Sequence, residues 1–433
     1  MSVPRTTGRR LRVIQVSTAD IRGGAEQVAW NLFAAARSRG HGSWLAVGEK
    51  RSDDPGVIVV PNDGAEGRLS RLSRRLAAGL DYYRGHEDFR HPGTTRLLEL
   101  TAERPDVVHG HNLHGGYFDL RVLPWLSREA HLVLTLHDGW LLSGHCAHSF
   151  ECGRWETGCG DCPDLTIYPA VRRDATAYNW RRKQAIFAAS RLHVATPSRW
   201  LMAKAERSIL APGVIEARVV PNGVDLSVFR PAGKSAARAM LGLPPDAPVI
   251  LAAAVQIQRN PWKDFPTFEA AVRILSDRWS GAPVHVVVVG AEGAPPPPEP
   301  TVRMRHVPHA PDAATLASFY RAADVYVHAA RADTFPLSVV EALACGTPVV
   351  ASSVGGIPEQ VDDGESGILV PPGNADAMAT AIGRLLADDE LRSKLGETAA
   401  RVARQRFDLE RQIDAYLDWY AELVDASPRT AAA

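Results

Sequence analysis

The sequence predicts an α/β protein built from two doubly wound domains that face each other across a cleft. Three observations carry that expectation. The chain has 433 residues, enough for two or three domains at roughly 150 residues each. Short apolar runs alternate with segments of helical period almost throughout, the pattern of parallel sheets with helices on both faces. The pattern then pauses in the Pro-, Gly- and Asp-rich stretch Pro221–Pro248 and restarts.

The elements follow in order. Leu11–Val16 reads as the first strand, and Ala25–Ser38 as a helix with Val28, Leu32 and Ala35 on one face. Trp44–Val47 and Val57–Val60 are further strands. Asp106–His109 and His131–Leu136 are two more, with the helical segment Phe118–Arg128 between them. Leu192–Ala195 and Arg218–Val220 close this half. After the pause come Val249–Val255, Val284–Val289, Val302–His306, Val325–His328, Val349–Ala351 and Ile368–Val370, with helices at Phe265–Trp279, Ala313–Ala323 and Ala375–Leu386. Leu409–Val424 is a last amphipathic helix carrying Ile413, Leu417, Tyr420 and Leu423. The expected domains are therefore 1–220, with a Cys-rich insert at 140–165, and 221–408. The segment 409–433 is expected to pack back on the first. A ligand belongs at the carboxyl ends of the strands, in the cleft between domains.

Composition narrows the function. Lys plus Arg and Asp plus Glu number 49 each, so the formal charge is zero. A dedicated nucleic-acid binder would carry a basic surplus. No apolar run approaches the ~20 residues of a membrane helix, so no membrane span is expected, and peripheral contact stays open. The basic N-terminus is followed by the apolar run Leu11–Val16, too short for a signal peptide, so the expected location is cytoplasmic.

Several motifs carry chemistry. Gly23 and Gly24 follow the first strand and open a helix, where the backbone can approach a ligand and free N–H groups meet an anion. Histidines crowd two strand ends: His109, His111 and His114 on one, and His137 beside Asp138 on the other. Two neighbouring strands that both end in His point to substrate contact. The strongest signal is the carboxylate pair Asp333 and Glu341, followed by the tight turn Gly346-Thr347-Pro348. Asp333 lies in the loop after a strand, and Glu341 on the helix that begins near Leu337. The first-turn N–H groups of Leu337 and Ser338 suit a phosphate.

These residues resemble a family. With Gly23-Gly24-Ala25-Glu26, Thr196-Pro197-Ser198, Pro221-Asn222-Gly223, the acid pair, Gly355-Gly356-Ile357-Pro358-Glu359 and Gly373-Asn374, the chain looks like a family 4 retaining glycosyltransferase. The resemblance implies the GT-B fold of two Rossmann-like domains. It also implies a nucleotide-sugar donor on the second domain and a glycosyl acceptor on the first. Glu341 matches the acid that holds the donor's ribose hydroxyls, a role suited to a two-oxygen acceptor. Asp333 matches the acid that faces the transferred sugar, where most members have Glu. Lys263 resembles the lysine on the donor diphosphate. Ile257 stands where the family has Gly-Arg, so Arg259 is the candidate for the second charge. Pro336 replaces a common Gly and removes one N–H. His137 matches the histidine that reaches the transferred sugar. Catalytic roles thus fall to His137, Asp333 and Lys263. Donor contacts fall to Glu341, Arg259, Lys263, Leu337, Ser338 and Gly24, and acceptor contacts to Gly23, His109, His111 and Asp138. No catalytic cofactor is expected, because cations and a helix N-terminus can offset the leaving diphosphate's charge. Two rival readings stay open. One is a sugar phosphorylase or epimerase of the same fold; the other is a weakly catalytic sugar-nucleotide-binding scaffold, to which the Asp333 and Ile257 departures would fit.

Cys146, Cys152, Cys159 and Cys162 crowd the segment after His137. Their spacing suggests a structural zinc site, with disulfides or free thiols as alternatives. A subset of the family carries a similar insert after His137-Asp138-Gly139-Trp140.

Overall fold

The computed structural model describes residues 9–21, 23–61, 68–295 and 301–426, with side chains for all of these except 68–72, 74 and 75. Among them, thirteen strands pair in parallel into two sheets. The first runs β3-β2-β1-β4-β5-β6-β7, from β1 (Arg12–Ala19), β2 (Gly42–Glu49), β3 (Val57–Val59), β4 (Val107–Gly110), β5 (His131–Thr135), β6 (Leu192–Thr196) and β7 (Val214–Val219). The second runs β10-β9-β8-β11-β12-β13, from β8 (Val249–Ala253), β9 (Val284–Val289), β10 (Val302–Val307), β11 (Val325–His328), β12 (Val349–Ser352) and β13 (Gly367–Val370).

Strands β5, β6, β8, β11 and β12 are buried at every residue. That is why they read as unbroken apolar runs: a parallel strand covered on both faces has no solvent side to mark with polar residues. The edge strand β7 differs. Its residues alternate between half-buried and exposed, and it carries Glu216 and Arg218. The apolar-run criterion therefore finds only its end.

The first unit's helices are α1 (Gly24–Ser38), α2 (Arg68–Arg84), α3 (Leu123–Glu129), α4 (Thr176–Ala188) and α5 (Arg199–Glu206). The second half holds α6 (Lys234–Leu241), α7 (Phe265–Arg278), α8 (Ala313–Ala322), α9 (Leu337–Ala344), α10 (Ala375–Ala387) and α11 (Asp389–Arg406), followed by α12 (Leu409–Ala426). The expected helix Phe118–Arg128 is shorter, because a 3-10 turn at Leu120–Val122 precedes α3. Pro124 in the first turn of α3 suits that start, since its missing N–H would have no intrahelical partner. Short polar side chains begin several helices. Ser198 accepts from Leu201 N–H at 3.3 Å, Asp312 from Thr315 N–H at 2.7 Å and Asn374 from Ala377 N–H at 2.9 Å, each satisfying an orphan donor.

The chain divides into two compact units, with the break after Val220. The second unit ends at Gln412, and α12 from Ile413 onward belongs to the first. Tyr416, Trp419 and Tyr420 of that helix are fully buried. Trp419 Nε1 donates to Glu216 on β7 at 3.1 Å. Residues 427–433, the end of the expected returning segment, lie outside the described residues. Among the described residues no helix is long and apolar enough to cross a membrane.

Candidate functional site

Strand order reverses between β1 and β4 in the first sheet and between β8 and β11 in the second. Loops diverge at such a point and leave a crevice at the carboxyl ends of the strands. The candidate residues fall at both.

In the second unit, the loop after β8 is stitched to the loop after β11. Asp264 N–H donates to Ala329 O at 3.1 Å and Arg331 N–H to Trp262 O at 2.9 Å, with Lys263 and Ala330 forming an isolated bridge between them. Two glycines permit this closeness. A Cβ on Gly290, at φ 90°, would stand 1.8 Å from Ala254 O, and one on Gly355, at φ 57°, would stand 1.8 Å from Asp333 O. The stitching brings three side chains into contact. Lys263 Nζ forms a direct ion pair with Asp333. His328 Nε2 lies 3.2 Å from Asp333 Oδ2 and 3.3 Å from Lys263 Nζ. His328 Nδ1 lies 3.1 Å from the Tyr326 hydroxyl. Tyr326 O–H donates to Ala253 O at 3.2 Å, so it is the hydroxyl oxygen that faces His328 Nδ1.

Burial alone would push the Asp333 carboxyl up, but the Lys263 ammonium and His328 outweigh it and hold it well below the usual range. Burial and Lys263 lower His328 to about 4, so the imidazole is neutral at physiological pH. Glu341 behaves in the opposite way. It sits on α9, where Tyr320 O–H donates to its Oε2 at 2.7 Å. Burial raises it to about 7, against the lowering effect of that bond. Tyr326 is within electrostatic reach of both Glu341 and Asp333. Leu337 and Ser338 form the first turn of α9, whose N-cap is Pro336 without a side-chain bond.

Arg259 does not join this group. Its side chain is 79% exposed and stands 3.9 Å from Glu292. Ile257, at the position of the missing family arginine, is buried and its N–H donates to Gly290 O at 3.2 Å.

In the first unit, Gly23 is the N-cap of α1 and its N–H donates to Glu26 Oε2 at 3.1 Å, so that donor is already occupied. Gly24 is the first residue of the helix. The histidines form a row in which His109 and His111 are buried and His137 is half-buried. Ring centres of His109 and His111 are 4.2 Å apart, and those of His111 and His137 are 5.3 Å apart. Gln15 Oε1 accepts from His111 Nε2 at 2.9 Å, which leaves His111 Nδ1 to accept from His137 Nε2 at 3.0 Å. Burial holds all three imidazoles neutral: His109 and His111 titrate well below the ordinary histidine value, and His137 at about 4. Asp138 accepts from His114 Nε2 at 2.9 Å and from Trp140 N–H at 2.9 Å.

His109 corrects the expectation of an acceptor contact. Its ring is fully enclosed, with Nδ1 2.5 Å from the Tyr420 hydroxyl and Nε2 2.7 Å from Thr135 Oγ1. It anchors α12 to the first sheet.

The cysteine segment also departs from expectation. The thiols of Cys146, Cys152, Cys159 and Cys162 are unpaired. Among the described residues no group of three or more His, Cys, Asp or Glu side chains is placed to hold a metal ion. Cys159 Sγ accepts from Gly144 N–H at 3.3 Å, and Cys162 Sγ is 3.3 Å from His145 Nε2. Burial pushes the Cys159 thiol up to about 12. Instead a lysine braces the start of this segment. Lys183 on α4 is fully buried, pairs with Glu87 at 3.0 Å, and donates to Trp140 O at 3.0 Å and Ser143 O at 3.1 Å. Sequence reasoning missed Lys183, His328 and Tyr320. Only His328 left a signal, as the polar end of the apolar run Val325–His328 just before Asp333.

Comparison with known proteins agrees with this layout. Residues 22–228 match the family described as Glycosyltransferase Family 4, and residues 302–402 match Glycosyl transferases group 1. The D-inositol 3-phosphate glycosyltransferase 2 of Catenulispora acidiphila is 35% identical over 375 residues, covering 82% of this chain and 81% of that protein. The D-inositol 3-phosphate glycosyltransferase of Saccharomonospora viridis is 38% identical over 226 residues, 49% of this chain and 52% of that protein. Here, as with some other relatives, the chain spans about half the length of the protein it matches. Among solved structures, sucrose-phosphate synthase from Thermosynechococcus elongatus superposes with a TM-score of 0.66 at 20% identity, over 96% of this chain and 100% of that one. Anabaena Alr3699/HepE, in complex with UDP and glucose, gives a TM-score of 0.66 at 19% identity, again over 96% and 100%. At these identities the structures speak for the fold alone.

Proposed function

From the premise that the chain belongs to glycosyltransferase family 4 and has the GT-B fold, we propose that it is a cytoplasmic retaining enzyme that moves a glycosyl group from a nucleotide-sugar donor to an acceptor hydroxyl. The observation that carries this reading is the Lys263–Asp333–His328 cluster at the β8/β11 switch point. It holds an ammonium ready beside the first turn of α9, where a leaving diphosphate gathers negative charge.

The steps follow from the groups present. Glu341, once ionised, accepts from the two ribose hydroxyls of the donor. Lys263 turns from Asp333 toward the diphosphate as the glycosidic bond breaks, and the N–H groups of Leu337 and Ser338 add the partial charge of a helix N-terminus. Asp333, tied to Lys263 and His328, is a poor nucleophile. Retention then results from attack of the acceptor hydroxyl on the face from which the diphosphate departs: the new C–O bond forms as the bond to the diphosphate breaks, and the hydroxyl's proton passes to the departing phosphate oxygen. In the first unit, His137 is assigned to a hydroxyl of the transferred sugar, with His111 and Gln15 fixing its tautomer. Because these groups offset the developing charge, turnover is expected without an added divalent cation.

A thermal-shift series with UDP, GDP, ADP and TDP tests the reading. A nucleotide at 100 times its dissociation constant stabilises by about 2.7 kcal/mol, so at least one should raise the Tm clearly. No shift with any of the four overturns the proposal.

A further inference from the structure

Lys263 stands between two groups that cannot pair with each other as they are. Its Nζ forms an ion pair with Asp333 and lies 3.3 Å from His328 Nε2. His328 Nε2 is in turn 3.2 Å from Asp333 Oδ2. The Tyr326 hydroxyl, which donates to Ala253 O at 3.2 Å, turns its oxygen to His328 Nδ1 at 3.1 Å. Nδ1 therefore carries the proton of the neutral ring, and Nε2 is left with a lone pair. That lone pair accepts from the ammonium. It offers nothing to Asp333, since a carboxylate only accepts.

Donor binding disturbs this arrangement. The diphosphate draws Lys263 away, and a bare lone pair and a carboxylate oxygen are left facing each other at 3.2 Å. His328 is buried and Asp333 half-buried, where a carboxylate without a positive partner is costly. The backbone is held on both sides of the contact. Asp333 O accepts from Gly356 N–H at 3.2 Å, and Ala330 N–H donates to Ser352 Oγ at 3.2 Å. A proton on Nε2 removes the conflict, because it turns the contact into a charge-assisted hydrogen bond. The titratable groups facing His328 are Lys263 from the loop after β8, Asp333 from the loop after β11 and Tyr326 on its own strand. Glu341 on α9 acts on Tyr326 behind it. Burial and Lys263 both oppose a charged ring, and Asp333 favours one. Once Lys263 leaves, only burial still opposes it.

We infer that His328 is a positioning residue that takes up one proton on Nε2 as the diphosphate draws Lys263 away, so that an imidazolium replaces the ammonium against Asp333. The proton comes from solvent. It returns there when the nucleotide leaves and Lys263 pairs with Asp333 again. Asp333 thus has one cation beside it in both states, first the ammonium and then the imidazolium. Lys263 is released with its whole charge for the leaving group, and Asp333 keeps both its place and its charge. The inference rests on the glycosyltransferase reading and on the turn of Lys263 within it.

The test counts protons on the full chain. Calorimetric titrations with UDP, GDP, ADP and TDP, run at pH 7 in buffers of different ionisation enthalpy, give the protons taken up per nucleotide bound. Glu341 and the nucleotide's terminal phosphate also titrate near neutrality, so the quantity read is the difference between proteins. Wild-type protein should take up about half a proton to one proton more than His328→Gln, whose amide cannot ionise, and than Asp333→Asn, which needs no cation beside it. Between pH 8 and pH 6 the wild-type protein should also gain nucleotide affinity several-fold relative to either variant. A histidine that served the fold alone would shift Tm or affinity and leave the proton count unchanged. Should both variants fail to fold, wild-type protein labelled with nitrogen-15 histidine still decides: nucleotide should add one imidazolium signal to its NMR spectrum at pH 7. The inference fails if the wild-type and variant counts agree, or if no imidazolium signal appears on saturation. A wild-type protein that binds none of the four nucleotides is a different failure: it sinks the glycosyltransferase reading, and the role of His328 with it.

Discussion

The two switch points solve opposite electrostatic problems with similar topology. At β1/β4 the row of buried His109 and His111 with half-buried His137 is uncharged, and its hydrogen bonds run through neutral groups to Gln15 and Tyr420. At β8/β11 a half-buried ammonium and carboxylate sit together, with the buried, neutral His328 against them and the raised acid Glu341 on the next helix. A neutral row can orient hydroxyls without attracting ions. An ion pair keeps a cation in a desolvated place until a stronger anion displaces its partner. The difference teaches that charge in this molecule is concentrated where charge must be handled.

The comparison can be broken most directly at Lys263. Lys263→Ala should lower turnover at least about 100-fold, by analogy with other lost electrostatic stabilisers. The loss should fall on the chemical step, as single-turnover kinetics would report. Near-normal turnover would mean that charge is handled elsewhere.

Glu341→Ala comes next. Charge-assisted hydrogen bonds are each worth about 1.5–3 kcal/mol, so nucleotide affinity should fall tenfold or more by calorimetry. The acid also has a stability signature. Its value is raised to about 7 by burial, above the ordinary ~4.3. It therefore stabilises the fold below pH ~4.3, and that contribution is lost as pH rises through about 7. Glu341→Gln should melt with the wild-type protein at pH 4 and above it at pH 8. An equal difference at both pH values would contradict a raised acid.

The neutral row gives smaller effects of opposite slope. His137, lowered to about 4, favours folding above its ordinary ~6.5 and loses that contribution as pH falls through about 4. His111→Ala removes the bond that fixes the tautomer of His137. With about 0.5–1.5 kcal/mol per bond, turnover should drop about two- to tenfold while nucleotide affinity holds. Arg259→Ala should change turnover less than twofold, because its exposed side chain stands apart from the cluster. A larger loss would return it to the donor site.

Much of the fold was legible because parallel strands buried on both faces have only one way to look in a sequence. Other signals were of a different kind: the Pro-, Gly- and Asp-rich stretch Pro221–Pro248 marked a pause, and the chain divides after Val220. What escaped was held in place by tertiary contacts alone. Helix α11 is polar overall and its buried face is made mostly of small residues, Gly396, Ala399, Ala400 and Ala403, with only Leu395 and Val402 of larger size, so its stripe is faint in the sequence. Lys183 is an ordinary lysine until Glu87 and two carbonyls surround it. His109 resembled its neighbour His111 in every local respect, yet only the fold shows that it faces Tyr420. The cysteines are the opposite case: spacing records which sulfurs could meet, and zinc, disulfide and free thiol all fit the same spacing.

The return of α12 to the first unit has a consequence for synthesis. Tyr416, Trp419 and Tyr420 complete the polar centre around His109 and cover Glu216, yet the whole of 221–412 is translated between β7 and these side chains. At roughly 5–20 residues per second, the first unit waits on the order of ten to forty seconds on the ribosome with that face uncovered. During that interval it is an unfinished structure, exposed to chaperones and to its own neighbours on a polysome, and its last stabilising step comes only after the second unit has emerged.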